Sequence, residues 1–156
     1  MKQLNLPGYS FRIIEDEGFK KIFDPIRKKF VKLTPEEWVR QNFITFLVRI
    51  LGYPVGLIAV EKAFRWNRLS RRTDILVHNR KGTPLIVVEC KAPDVKISSD
   101  VFDQIFTYNM KLQVPVLVVT NGITHFACRV EEEPGKYHFI DSLPSYCEID
   151  NFLKNK

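Results

Sequence analysis

Apolar residues recur along this chain with two different periods, and the changes between them mark out the elements. From Thr34 to Leu51, the residues Val39, Phe43, Phe46, Leu47 and Ile50 return at helical spacing and predict a helix with one buried stripe. Thr34 is a good N-cap, Pro35 fits the first helical position, and Glu37 completes a capping box. Gly52 and Pro54 end the helix. Leu57 to Phe64 predicts a strand, followed by a polar, basic loop over Arg65 to Arg72. Two runs of branched apolar residues, Asp74 to Val77 and Leu85 to Val88, flank a polar turn at Asn79-Arg80-Lys81-Gly82 and predict a hairpin. After Pro93, Ser98 or Ser99 caps a helix reaching about Leu112, with Val101, Ile105, Tyr108 and Leu112 as its buried stripe. Pro115 to Thr120 predicts a strand buried on both faces, Asn121-Gly122 a tight turn, and His125 to Val130 the returning strand. A short strand at Tyr137 to Ile140 and a short helix near Ile149 to Leu153 follow. Met1 to Phe30 is weakly periodic and predicts a short β-ribbon, with Ile26 to Lys32 as a basic connector. The order helix, strand, hairpin, helix, strand, strand predicts an α/β fold, a mixed sheet flanked by helices.

Composition narrows the class. At 156 residues the chain is expected to form one domain over its whole length, with an ordinary soluble balance of 45% hydrophobic and 27% charged residues. No apolar run approaches a membrane span, and Met1 to Glu15 lacks a signal-peptide core, so a cytoplasmic location is expected. The three cysteines, Cys90, Cys128 and Cys147, form neither a CxxC nor a Cys/His cluster, which argues for reduced thiols and against zinc. His78, His125 and His138 have no ligand spacing.

Charge is concentrated. Of a net +6, the stretch from Glu61 to Lys96 holds nine basic and four acidic residues. Arg65, Arg68, Arg71 and Arg72 arrive just before Asp74, and a basic patch beside an acidic site suits a polyanionic substrate. Trp66, within that basic run, is a candidate for stacking on a base.

The candidate chemistry sits at the open end of the hairpin. Antiparallel pairing brings Asp74 beside Glu89 and Lys91, and strand alternation points Glu89 and Lys91 one way and Cys90 the other. Two carboxylates a few ångströms apart repel unless a proton or a divalent cation lies between them. Magnesium suits such a site, because it takes one or two carboxylates and keeps several waters, and manganese is the natural substitute. Lys91 is placed to orient a water or to neutralise charge growing on a phosphate. The arrangement suggests metal-assisted phosphodiester hydrolysis. Glu37 and Gln41, one turn apart on the first helix, share a face that could reach the metal site or its waters, although on pattern alone a cap and a solvated glutamine describe them better. Glu61 is expected to face solvent.

Taken in order, T-P-E-E-W-V-R-Q-N-F (Thr34 to Phe43), R-T-D-I-L-V (Arg72 to Val77), V-V-E-C-K-A-P (Val87 to Pro93), Q-I-F-T-Y-N (Gln104 to Asn109) and V-T-N-G (Val119 to Gly122) form a set. The set resembles the N-terminal nuclease domain of type I restriction enzyme R subunits, within the PD-(D/E)xK nuclease superfamily, and especially its short stand-alone bacterial members. The likeness covers roughly residues 30 to 140. It implies a restriction-endonuclease-like fold, with Asp74, Glu89 and the Cys90 backbone carbonyl holding Mg2+ and Lys91 assisting the water or the transition state. Gln104 and Tyr108 match that family's Q-x-x-x-Y, associated with DNA cleavage and contact. Gln41 occupies a first-helix position where many members carry Glu or Gln near the metal. Type I R subunits continue into a helicase-like translocase. This sequence ends at Lys156 without a P-loop, so ATP dependence is not expected here.

The leading expectation is a magnesium-dependent DNA endonuclease of restriction or repair type. Two others stand beside it: a nucleic-acid-binding module that keeps the fold without cleaving, and a nuclease subunit that acts only with a translocase or specificity partner. A homodimer would turn two nicks into a double-strand break.

Overall fold

A computed structural model of the chain describes residues 1–66, 69–133 and 135–155, and within them the side chains of all but 64–66, 69–71, 108, 110 and 111. Its elements are β1 (Ile13–Asp16), β2 (Phe19–Asp24), β3 (Lys29–Lys32), α1 (Pro35–Arg49), β4 (Ile58–Trp66), β5 (Leu69–His78), β6 (Pro84–Cys90), α2 (Ser99–Leu112), β7 (Val116–Thr120), β8 (His125–Val130), β9 (Tyr137–Ile140) and α3 (Ile149–Lys154). The first three strands pair as an antiparallel ribbon, and the other six form a mixed sheet in the order β4-β5-β6-β7-β8-β9. Among the described residues, no helix is long and apolar enough to cross a membrane.

Strand alternation divides the sheet's side chains between two cores. Ile75, Val77, Ile86, Val88, Val116 and Val118 pack with Val39, Phe43, Ile44 and Leu47 of α1. On the other face Leu76, Val87, Leu117 and Val119 pack with Phe102 and Ile105 of α2. The result is a helix–sheet–helix sandwich, and β7 at its centre is buried along its whole length. The β6–β7 ladder is parallel, Ile86 opposite Val116 through Cys90 opposite Thr120, and the chain from Lys91 to Pro115 makes the crossover through α2. The other described ladders are antiparallel.

The amino terminus is tied to the sheet at one tight approach. Asn5 N–H donates to the Gly122 carbonyl at 2.7 Å, and Gly122 has φ +81°. A Cβ there would push on the Leu4 side chain at 2.7 Å, and the left-handed φ would strain any other residue, so glycine suits the position.

Several sequence expectations change. The basic connector over Ile26 to Lys32 contributes a strand, β3, because Phe23 and Phe30 pair across the ribbon. The polar loop expected over Arg65 to Arg72 is mostly strand: β4 runs to Trp66 and β5 begins at Leu69, with Ala63 opposite Arg72 and Trp66 opposite Leu69. Cross-strand pairing overrides the polar composition there. On α1, Ile50 lies beyond the last helical residue and is 54% exposed, while Ile44 is buried in its place. On α2 the stripe is turned toward Phe102, Ile105 and Asn109, with Val101 and Leu112 only half-buried. The Asn109 amide is buried because it closes the helix end, accepting from Val114 N–H and donating to the Val114 carbonyl. Cys90, Cys128 and Cys147 are free thiols.

Candidate active site

The site begins with the hairpin register. Ile75 sits opposite Val88, so the next residues toward the open end are Asp74 on β5 and Glu89 on β6. The end of β6 is pinned from its other side, where Lys91 N–H donates to the Thr120 carbonyl at 2.8 Å. Asp74 is fixed by two donors: Cys90 N–H reaches Oδ2 at 2.7 Å and Arg40 Nη2 reaches Oδ1 at 2.6 Å. Lys91 Nζ donates to Glu89 Oε1 at 2.9 Å. The expected grouping of Asp74, Glu89 and Lys91 therefore forms, with Arg40 as an additional member.

Burial and the adjacent Asp74 charge push the Glu89 carboxyl up to about 7, against the pull of Lys91. For Lys91, burial works against the ammonium, but the hydrogen bond and charge of Glu89, helped by Asp74 and Glu36, outweigh it and hold its pKa above the ordinary value. Lys91 is thus a cation here and acts as a hydrogen-bond donor. Burial drives the Cys90 thiol well up, which leaves the thiol inert.

Behind this group lies a second set of charges. Arg27 donates from Nη2 to Glu37 Oε1 at 2.6 Å, from Nη1 to Glu61 Oε2 at 2.7 Å, and from Nε to Asp24. Arg40 Nη1 donates to Glu37 Oε2, and its Nη2 lies 3.3 Å from Glu36 Oε1. Asp24, fully buried, also accepts from the backbone N–H groups of Ile26 and Arg27 at 2.7 and 2.9 Å. A continuous chain of ion pairs, Asp24–Arg27–Glu37–Arg40–Asp74, so joins the turn between β2 and β3 to the hairpin mouth. Glu61 has φ +50°, a left-handed conformation within a strand, and its carboxylate is bonded to Arg27 rather than left to solvent.

Among the described residues, the carboxyl groups of Asp24, Glu36, Glu37, Glu61, Asp74 and Glu89 pair with Arg27, Arg40 and Lys91, more acidic groups than basic ones. Excess negative charge at a pair of adjacent carboxylates is the environment that a divalent cation relieves. Among the described residues no group of three or more His, Cys, Asp and Glu side chains is arranged to hold a metal ion. The donors side by side here are the two carboxylates of Asp74 and Glu89. That is a poor cage for zinc and a fit for a hard cation that keeps its own waters.

The remaining candidates fall outside this first group. Gln41 is buried, not solvated, and its amide donates to Glu37 Oε1 at 2.8 Å, one layer behind Asp74. Glu37 is likewise buried. Thr34 Oγ1 accepts from Glu37 N–H at 3.0 Å, but the Glu37 carboxylate is taken by Arg27, Arg40 and Gln41, so half of the expected capping box is absent. Gln104 is exposed on α2 and has no hydrogen bond to Asp74, Glu89 or Lys91 among the described residues. Tyr108 has its backbone in α2, and its side chain lies outside the described residues. Arg72 is exposed on β5. Arg68 lies outside the described residues, as do the side chains of Arg65, Trp66 and Arg71.

Sequence reasoning passed over Arg40 and Arg27. A signal existed for Arg40, which stands three and four residues after Glu37 and Glu36. Nothing local pointed to Arg27, whose partners Glu37 and Glu61 are distant in sequence.

Comparison with known proteins gives two findings. Residues 35–144 match the family described as type I restriction enzyme R protein N terminus. The fold is similar to the fragment structure of a protein assigned as an HsdR subunit of a type I restriction enzyme from Vibrio vulnificus YJ016, with a TM-score of 0.56 and 19% identity over 78% of this chain. The chain spans 25% of that structure's length. No curated protein matches the chain.

Proposed function

The chain belongs to the family of type I restriction enzyme R protein N termini, and from that premise we propose that it is a metal-dependent DNA endonuclease with Asp74, Glu89 and Lys91 at its centre. The observation that carries this reading is the pair of adjacent, half-buried carboxylates beside a charged lysine, in a cluster of described residues with more acidic than basic groups. Asp74, Glu89 and the Cys90 carbonyl would hold the ion, Mg2+ or Mn2+. Once bound, it would lower the pKa of a water and neutralise charge on the phosphate.

The chain's own residues do the rest. Asp74 is held in one rotamer by Cys90 N–H and Arg40, so its position is set before substrate arrives. Lys91, kept protonated, donates a hydrogen bond toward the attacking water or toward a phosphate oxygen as charge grows there. The water oxygen forms the new bond to phosphorus as the bridging P–O bond breaks, and the leaving oxygen takes up a proton. Gln41 positions Glu37, and Glu37 positions Arg40. Arg72 and the arginines around it would meet the phosphate backbone. Gln104 and Tyr108 would make contacts to DNA along α2.

The test is cleavage of supercoiled plasmid with Mg2+, Mn2+ or EDTA by wild type, Asp74→Ala and Lys91→Ala. Nicking that requires metal and falls by about 10²–10³-fold in the variants supports the assignment. Equal activity in all three proteins refutes it. A second reading, a module that acts only with a translocase or specificity subunit, is favoured by its family, the N terminus of type I restriction enzyme R protein. Salt-sensitive DNA binding without cleavage by the isolated protein supports that reading instead.

A further inference from the structure

Arg40 stands where an active-site cation would compete. Both oxygens of Asp74 are engaged by the protein, one by the Cys90 backbone and the other by the Arg40 guanidinium at 2.6 Å. The backbone bond is part of the strand and stays with it. The guanidinium is therefore the group that any incoming cation meets at Asp74.

Three features separate Arg40 from a purely structural arginine. First, it is 4% exposed, so it cannot swing into water when Asp74 is taken from it. Second, it has somewhere else to go. Glu37 and Glu36 lie on its own helix, one turn back, already bonded to the same guanidinium. Third, its Nε is buried with no partner among the described residues, an unused donor that a small rotation toward those carboxylates would satisfy. Arg27, by contrast, uses Nε, Nη1 and Nη2 on three carboxylates and does not touch Asp74.

We propose that Arg40 is the resident counter-cation of Asp74, which it yields to a divalent cation by withdrawing onto Glu36 and Glu37, so that its charge sets the affinity of the site for metal. This rests on the metal-dependent reading above. Arg40 is a positioning residue in this scheme: it holds Asp74 in place until the ion arrives and keeps the site from binding cations too tightly. The Arg27–Glu37 pair is the counterweight, since Arg27 shares the carboxylate that Arg40 must fall back on.

The sign of one measurement separates this role from its rival. If Arg40 only orients Asp74, removing it lowers metal affinity. If it competes with the ion, removing it raises affinity. Mn2+ binding to the full chain, without DNA, is measured by calorimetric titration for wild type, Arg40→Gln, Arg40→Lys and Asp74→Asn. The expected result is binding about tenfold tighter or more in Arg40→Gln, the order for removing one like charge at a partly buried site. Arg40→Lys, whose single ammonium cannot span Asp74 and Glu37 together, should fall between, and Asp74→Asn should abolish binding. If Arg40→Gln fails to fold, Arg40→Lys carries the test.

A reading on wild type needs no variant to fold. Side-chain 15N–1H resonances of the arginines are followed through an Mg2+ titration. That of Arg40 should move while that of Arg129, bonded to carbonyls at the end of α3, stays still. Unchanged or weaker Mn2+ binding in the Arg40 variants, with binding still lost in Asp74→Asn, overturns the proposal and leaves the metal site standing. No Mn2+ binding by any of the proteins, and no Mg2+-induced shift, overturns both.

Discussion

The helix α1 serves two regions that obey different rules. Its inner stripe, Val39, Phe43, Ile44 and Leu47, meets Ile86 and Val88 in the middle of β6. Its amino-terminal turns, with Glu36, Glu37, Arg40 and Gln41, meet Arg27, Glu61 and Asp74 at the end of the hairpin. The first contact is non-directional: any apolar group of about the right volume contributes by leaving water. The second is directional and shared. Arg27 and Arg40 each touch at least three carboxylates, so no pair in the chain can be removed without stranding another charge. The core is robust to small changes, and the charged seam is exacting.

That contrast can be tested in decreasing order of effect. Arg27→Met takes the guanidinium from the fully buried Asp24, leaving it backbone donors alone, and leaves the buried Glu37 with Arg40 and Gln41. It should destabilise the protein by about 4 kcal/mol and lower plasmid cleavage per folded molecule, measured by urea unfolding alongside the nicking assay. Leu47→Ala, in the core, should cost about 3 kcal/mol yet leave cleavage per folded molecule unchanged; a loss of cleavage there would dissolve the distinction between the regions.

The third test uses pH. Glu89 is raised from 4.5 to about 7, so it holds its proton more tightly folded than unfolded. The stability this contributes is complete below pH 4.5 and is lost as pH rises through about 7. Metal-free Glu89→Gln should therefore melt above wild type at pH 8, by a margin that shrinks toward pH 5. A margin independent of pH would remove the carboxylate pair as its cause. The smallest effect belongs to Thr34→Ala. Because the Glu37 carboxylate is committed to the seam, only the bond from Glu37 N–H is lost, for about 1 kcal/mol and no change in cleavage.

The same contrast explains what the sequence revealed. Strands β5 to β8 and helix α1 were legible because burial imposes a period, and Asp74, Glu89 and Lys91 were legible because a hairpin's register follows from its turn. The seam was not. Glu37 reads as half of a capping box, and only its three-dimensional neighbours show that its carboxylate turns away from Thr34. Gln41 and Glu61 read as solvated for the same reason. Arg65 to Arg72 reads as a loop because charge masks the cross-strand pairing that makes most of it a ribbon. Ion pairing carries no period, so it leaves no pattern along the chain.

The parallel ladder between β6 and β7 sets the order in which the pieces can come together. Every neighbouring pair in the large sheet except β6–β7 is joined through a short turn or loop, whereas β6 and β7 meet only across the whole crossover through α2. Closing that long loop is the slow, entropically costly contact. During synthesis Asp74 and Glu89 leave the ribosome well before Thr120, whose carbonyl anchors Lys91. A nascent chain thus carries its acidic pair for some time without the strand that fixes the lysine beside it, and the grouping of Asp74, Glu89 and Lys91 is complete only after β7 has docked.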